Sequence, residues 1–208
     1  TGIDTLIGGA GNDLFVVNNA ADVVQDAATN VGSTIQSSVS YALSSNIDTL
    51  VLTGAANLVA TGNTDDDTLI ANTGNDTLVA GTGNDLLMAQ SGNITLQFNA
   101  GFGDDTVAAA GAVSTLSFGS GINPSDFTVA AFVDHDLPSL VLTGDGGSIT
   151  IDGALIPGSI SSLQFAGGST MNLAQFLAQA SSFPVTLQVG PGHVIFDASN
   201  GDTLSASQ

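Results

Sequence analysis

The chain has no lysine, no arginine and no glutamate, so all nineteen of its charged side chains are aspartates and its formal charge is −19. No internal cation can offset them. Without basic side chains to neutralise phosphate, nucleic acid is excluded as a natural partner, and anionic membranes are disfavoured for the same reason. Cysteine is absent too, so no disulfide holds the fold. No run of eighteen apolar residues is available to span a bilayer. Aromatics amount to only 5%, ten Phe and one Tyr. Val, Ile and Leu are nonetheless plentiful, unlike in a disordered acidic tail. A chain of 208 residues can form one or two domains with a real core. It opens at Thr1 with no start methionine or charged leader, as expected of a fragment or a processed product.

What is present is a beat of nine. Aspartates recur at Asp4, Asp13 and Asp22, and again at Asp67, Asp76 and Asp85. Residues 8–16 read GGAGNDLFV, and residues 62–97 read GNTDDDTLI, ANTGNDTLV, AGTGNDLLM and AQSGNITLQ. In that register Leu69, Leu78, Leu87 and Leu96 hold the eighth position of each nonapeptide. One large apolar residue per nine predicts a short strand with its leucine in a narrow shared interior, since a globular helix would repeat every three or four. Gly and Asn suit the tight loop, and the Thr-Leu-Val type triplet suits a strand. A single nonapeptide buries almost nothing, so neighbours must stack at about 4.8 Å. Stacking brings like charges together. Two carboxylates about 5 Å apart repel by roughly 1 kcal/mol in water and about 3 kcal/mol at an effective dielectric near 20. The balancing charge must come from solution, and calcium suits loops of all-oxygen, carboxylate-rich character.

Elsewhere the beat is lost. Ile35, Ser37, Val39, Tyr41 and Leu43 alternate with polar residues, and residues 47–54 read as a strand and turn. Beyond residue 110 separate β runs are expected at Thr115 to Phe118, Ser139 to Leu142, Ser148 to Ile151 and Ser161 to Phe165. Asn123-Pro124-Ser125-Asp126 reads as a turn or helix start. Residues 172–180 form the best helix candidate, with Asn172 as N-cap. Residues 183–208 return to β character. The reading is all-β: parallel β-helix or β-roll repeats in two blocks, then a β-rich companion domain with one short helix. The expected division is a repeat region 1–110, with a β insertion at about 27–61, and a companion domain 111–208.

The nonapeptides resemble the calcium-binding RTX, or haemolysin-type, repeats. The stretch VSYALSSNIDTLVLTGAANLVATGN is similar to the linker between repeat blocks in large secreted bacterial RTX proteins. LSFGSGINPSDF, LVLTGDGGSITI and ISSLQFAGGSTMNL resemble the companion domain that follows such repeats. The resemblance implies calcium held by Asp4, Gly9, Gly11, Asp13, Asp67, Gly74, Asp76, Gly81, Gly83, Asp85, Asp104 and Asp105. For each aspartate the alternative is a solvated turn residue that caps backbone amides. The family arrangement implies an ion between every second loop, so the Asp67 and Asp85 loops complete one site. Asp76 then faces the loop of Ile94 and is short of a carboxylate, and Asp65 and Asp66 compete for the role of Asp67. The loop of Asp22 lacks glycine. The resemblance further implies type I export of an unfolded chain that folds outside the cell, where calcium fills sites in the range of about 10⁻⁴–10⁻³ M.

Other chemistries find no support. His135 and His193 are isolated and lack the HExxH spacing of a zinc protease; no GxSxG elbow is present, and the glycine loops lack a phosphate-binding lysine. A glycosidase pair of aspartates is better explained by repeat stacking. The chain is expected not to be an enzyme. Two functions stay open: a structural subunit of an extracellular filament, surface layer or matrix fibre, or the non-catalytic repeat region of a larger secreted enzyme, toxin or adhesin. Head-to-tail self-association is the partner expected for the first. Joining Asp202-Thr203-Leu204 of one copy to Asp4-Thr5-Leu6 of another would place the aspartates close to the internal step. Acid, by protonating Asp near its usual value of about 3.9, is expected to release calcium and loosen the fold.

Overall fold

The computed structural model describes residues 2–27, 32–109, 113–134, 137–144, 147–154 and 159–180. His135, His193 and the 183–208 segment with Asp202 lie outside the described residues.

The chain winds as a roll of parallel strands. Its first eight strands are β1 (Thr5–Ile7), β2 (Leu14–Val17), β3 (Val23–Gln25), β4 (Thr34–Ser37), β5 (Tyr41–Ala42), β6 (Thr49–Leu52), β7 (Val59–Thr61) and β8 (Thr68–Ile70). The winding continues with β9 (Thr77–Val79), β10 (Leu86–Met88), β11 (Asn93–Phe98), β12 (Asp104–Ala108) and β13 (Val113–Phe118). Even strands build one sheet in the order β2, β4, β6, β8, β10, β12; odd strands from β5 to β13 build the other. β1 pairs with β3 in a small sheet of its own. Two nonapeptides therefore make one coil, and Leu69 lies beside Leu87 just as Leu78 lies beside Leu96.

The strands are three to six residues long because each triplet needs only one inward side chain. In β8, β9 and β10 the central residue is buried and its two flanks are half-exposed. The eighth-position leucines Leu69, Leu78, Leu87 and Leu96 are wholly buried, as their spacing predicts. Leu50 extends the column on one sheet, and Leu116 and Leu163 extend it on the other. Each buried leucine contributes about 1.5–3 kcal/mol, so stability accumulates coil by coil. The 27–61 segment supplies β4 to β7, which take their places in the same two sheets. Ile35 and Ser37 point inward, and Ile47 is buried in the turn before β6.

Beyond β13 the winding changes. After a single 3-10 turn at Pro124–Asp126, β14 (Thr128–Asp134), β15 (Leu137–Gly144) and β16 (Gly147–Asp152) form an antiparallel extension of the even-strand sheet, with β16 parallel to β12. β17 (Ile160–Phe165) and β18 (Thr170–Met171) extend the odd-strand sheet. The strand runs expected from sequence fall within β13, β15, β16 and β17. Helix α1 (Leu173–Ala180) follows. Asn172 caps it as expected: its Oδ1 accepts from the Gln175 amide at 2.8 Å, while Gln175 Oε1 accepts from the Asn172 amide at 2.9 Å.

Cohesion at this end comes from rings. Phe118 stacks on Phe165 at 4.9 Å and on Phe98 at 6.0 Å, with Phe102, Phe127 and Phe176 packed around them. The glycine and aspartate loops thus give way to an aromatic core. Such pairs contribute about 0.5–1.5 kcal/mol beyond their burial.

Candidate metal centre

Each coil makes two turns, so the sixth positions of the nonapeptides line up in two columns along the roll. Strand register assigns the first column, leading into the even strands: Asp13, Ser33, Asp48, Asp67, Asp85 and Asp105. The second leads into the odd strands. It runs Leu58, Asp76, Ile94 and Ser114, with Asp4 and Asp22 nearer the start of the chain. Only the first column sets aspartate beside aspartate over four consecutive coils.

Within a turn the carboxylate closes the loop on itself. Asp85 Oδ2 accepts from the Gly81 amide at 2.8 Å, Asp67 Oδ2 from Asn63 at 2.6 Å, Asp76 Oδ2 from Asn72 at 2.7 Å and Asp13 Oδ2 from Gly9 at 2.8 Å. The other oxygen reaches one coil back. Asp85 Oδ1 accepts from the Asp67 amide, Asp105 Oδ1 from the Asp85 amide and Asp76 Oδ1 from the Leu58 amide, each at 2.8 Å. The amide-capping role weighed for these aspartates is therefore present. Asp76 looks back to Leu58, and Ile94 on its other side is apolar, so it has no partner carboxylate on either side.

In this bonding pattern two buried carboxylate oxygens of the first column are left over, one on Asp67 and one on Asp105. The step from Asp48 to Asp67 is one residue longer than the 18-residue coil, and the step from Asp85 to Asp105 is two longer. Asp67 Oδ1 and Asp105 Oδ2 are buried and accept no hydrogen bond. A buried carboxylate oxygen with no donor needs a proton or a cation. Burial pushes the Asp67 carboxyl up to about 7, with the charges of Asp85, Asp48 and Asp65 adding to it against the Asn63 amide. Burial likewise pushes Asp105 up to about 7, helped by Asp85 and Asp104. Asp85 is raised for the same reason, against the amides of Asp67 and Gly81 that hold it down. Asp22 goes the other way. The Asp4 amide at 2.9 Å, seconded by those of Asn18 and Asn19, lowers it below the usual carboxylate range.

The remaining sequence-predicted residues sort themselves by position. Asp104 is exposed and stands at the fifth position, where its amide donates to Asn84 Oδ1 at 2.9 Å and its carboxylate accepts from Ser148 Oγ at 2.8 Å. Asp105 alone belongs to the column. Asp65 and Asp66 are exposed; Asp66 Oδ1 accepts from the Asn84 amide at 2.8 Å, so the column position is that of Asp67. Asp4 is exposed and contributes its backbone amide to Asp22. Asp13 stands beside Ser33, whose Oγ accepts from the Asp13 amide at 3.0 Å, and so lacks a neighbouring column carboxylate. Gly11 has φ +101°, open only to glycine at low cost. Gly74, Gly81 and Gly83 have another reason: a Cβ there would run into the carbonyls of Ala56, Asn63 and Asp65 in the turn one coil before. Gly9 meets no such obstruction.

Asp48 escaped the sequence reading. The signal was present: residues 43–51, LSSNIDTLV, form a nonapeptide with Asp sixth and Leu50 eighth. Its fourth residue, Asn46, takes φ +69° in place of a glycine. The fifth-position ladder was also missed. Asn57 Oδ1 accepts from the Asn75 amide at 2.9 Å, and Asn75 Oδ1 from the Asn93 amide at 3.0 Å.

Among the described residues no three acidic or histidine side chains converge into a ready cage. The column offers paired carboxylates instead, with loop carbonyls packed closely between coils. That donor set is all oxygen, anionic and without nitrogen or sulfur, and it fits a hard cation of the calcium kind. Comparison with curated proteins gave no match. Residues 1–24 and 61–93 match the family described as the RTX calcium-binding nonapeptide repeat, in four copies. Those two segments thus carry nonapeptide repeats of the RTX type, a repeat that binds Ca2+.

Proposed function

We propose that this is a secreted, calcium-ordered structural protein whose repeats fold on the ion outside the cell and build a filament, surface layer or matrix fibre. The observation that carries the calcium half is the first column: Asp67, Asp85 and Asp105 are buried one above another, two of them with an unbonded oxygen, in a chain with no lysine or arginine. Calcium between these turns supplies the missing charge. Binding only to the folded roll, it adds RT ln(1 + [L]/Kd) per site. In a cytoplasm poor in free calcium the same sites stay empty, which suits export of an unfolded chain by a type I system. Ligation in this proposal rests with Asp67, Asp85 and Asp105 and the glycine-lined loops between them.

The assembly half rests on the opposite end of the roll. β2 is the outermost strand of its sheet, and Ile3, Ile7, Leu14 and Val16 around it are 60–74% exposed. Unpaired parallel edges with apolar flanks invite another β coil. If a second copy supplies it, head-to-tail contacts that do not close give a fibre. A further coil of one longer secreted enzyme, toxin or adhesin would cover the same face, and residues 113–180 then serve as the companion domain of its repeats. Electron microscopy of the chain with millimolar calcium and with chelator separates the two. Ordered polymers that dissolve in chelator are expected; monodisperse particles in both conditions overturn the assembly half.

A further inference from the structure

The gap between the coil of residues 43–61 and that of residues 62–79 differs from those that follow. At the second position of its two loops stand Asn63 and Asn72, where the loops of Asp13 and Asp85 have Gly9 and Gly81. Asn63 Nδ2 donates to the carbonyls of Ser44 at 3.0 Å and Ile47 at 3.1 Å in the coil before. Asn72 Nδ2 repeats the geometry at the other edge of the roll, donating to Ala56 at 3.0 Å and Thr53 at 3.4 Å. In both cases the two carbonyls lie three residues apart in one loop. Each side chain is fixed from its other end: Asn63 Oδ1 accepts from the Asp65 amide at 2.6 Å and Asn72 Oδ1 from the Gly74 amide at 2.5 Å. Rotating either amide would set oxygen against two carbonyls and nitrogen against an N–H, so the orientation is determined.

An N–H pair aimed at two loop carbonyls, beside a sixth-position carboxylate, does what a bound cation does between turns. It holds two carbonyl oxygens of the preceding loop against partly positive N–H groups carried by the next coil. We infer that Asn63 and Asn72 stand in for calcium in this gap, closing it without an ion at both edges of the roll. The metal-dependent gaps are then the next two in the first column, between Asp67 and Asp85 and between Asp85 and Asp105. At the first of these Gly81 contributes no side chain. In the second column the corresponding residue, Gln90, is exposed. Asn19 makes a lesser version, with one cross-coil bond from Nδ2 to the Gly2 carbonyl at 2.9 Å. The coils on either side of the Asn63 gap thus form an ion-independent seed. On it the later coils wind once calcium arrives.

This rests on the calcium reading for its second half only, and hydrogen exchange separates the halves. In the whole chain under chelator at neutral pH, the amides of Thr68 and Thr77, bonded to the carbonyls of Asp48 and Leu58, should exchange at least about tenfold more slowly than those of Leu86 and Thr106. The latter two are bonded to Asp67 and Asp85. Calcium should erase that difference by protecting Leu86 and Thr106. An Asn63→Gly, Asn72→Gly variant should lose the Thr68 and Thr77 protection in chelator and regain it with calcium. Equal exchange of all four wild-type amides in chelator overturns the seed, and so does an unaltered difference in the variant. If the variant does not fold, the wild-type contrast still decides. If calcium leaves Leu86 and Thr106 unchanged while Thr68 and Thr77 are protected, the seed stands and the calcium reading fails.

Discussion

Under chelator, lowering the pH from about 8 to about 5 should increase the ordered β signal of the chain rather than diminish it. The sign follows from burial. Asp67 and Asp105 have folded values near 7 against an ordinary 3.8, so protonation favours the metal-free fold over the unfolded chain. Their contribution is fully present below 3.8 and is lost as the pH rises through 7. Asp85, raised in the same direction, adds to it. Reduction of a net charge of −19 helps further. Asp22 opposes the trend only in stronger acid. Its folded value is depressed, so its contribution is present above 3.8 and fails as the pH drops through that lower value. Calcium needs the deprotonated column, so its affinity should fall as the pH drops below about 7 rather than near the ordinary aspartate value. The expectation that acid merely loosens the protein therefore applies to the calcium-loaded form, in a window shifted upward by burial. Circular dichroism in chelator across this range checks it. A signal that declines steadily from pH about 8 to about 5 contradicts the argument.

Replacing Asp85 by asparagine should remove the ion from both gaps beside it. Asp85 occupies the middle of the column: its Oδ1 meets the Asp67 amide, its Oδ2 meets the Gly81 amide, and its own amide donates to Asp105. Asn has the same shape but one acceptor. Its NH2 must face either the Asp67 or the Gly81 N–H, and one negative charge is lost from two adjacent sites. Removing one member of a buried charged pair costs about 2–5 kcal/mol, so calcium binding should weaken by roughly 10²-fold or more. Without calcium the same change relieves carboxylate repulsion on Asp67 and Asp105 and flattens the pH dependence described above. Asp48→Asn should do far less to binding, because the Asn63 amide already bridges the coils at that step. Calorimetric titration of both variants measures this. Equal losses in Asp48→Asn and Asp85→Asn would run against it.

The winding itself was readable because the eighth-position leucines recur without exception from Leu69 to Leu96, and a nine-residue apolar period has few solutions other than stacked short strands. The helix was legible from Asn172 and Gln175, whose capping is local. Which aspartates matter was harder to read. A linear beat treats Asp76 and Asp85 alike; it was the resemblance, with its ion between every second loop, that set Asp67 beside Asp85 and Asp76 beside Ile94, since successive nonapeptides fall on opposite edges of the roll. The relevant neighbour is therefore the residue one coil away. On that criterion Asp76 lies between Leu58 and Ile94, whereas Asp85 lies between Asp67 and Asp105. Asp48 was hidden because Leu43 and Asn46 replace the expected glycines, although Asn can adopt the positive φ required. The bridging amides of Asn63 and Asn72 were illegible, since a loop asparagine reads as a turn former unless the carbonyls of the preceding coil are in view.

The direct test is an experimental density map of the chain grown in calcium. Strong ion peaks should lie between the Asp67 and Asp85 turns and between the Asp85 and Asp105 turns, with the Asn63 amide and no ion at the step before. Water at both of the first two positions, with the carboxylates still turned to backbone amides, would contradict the account.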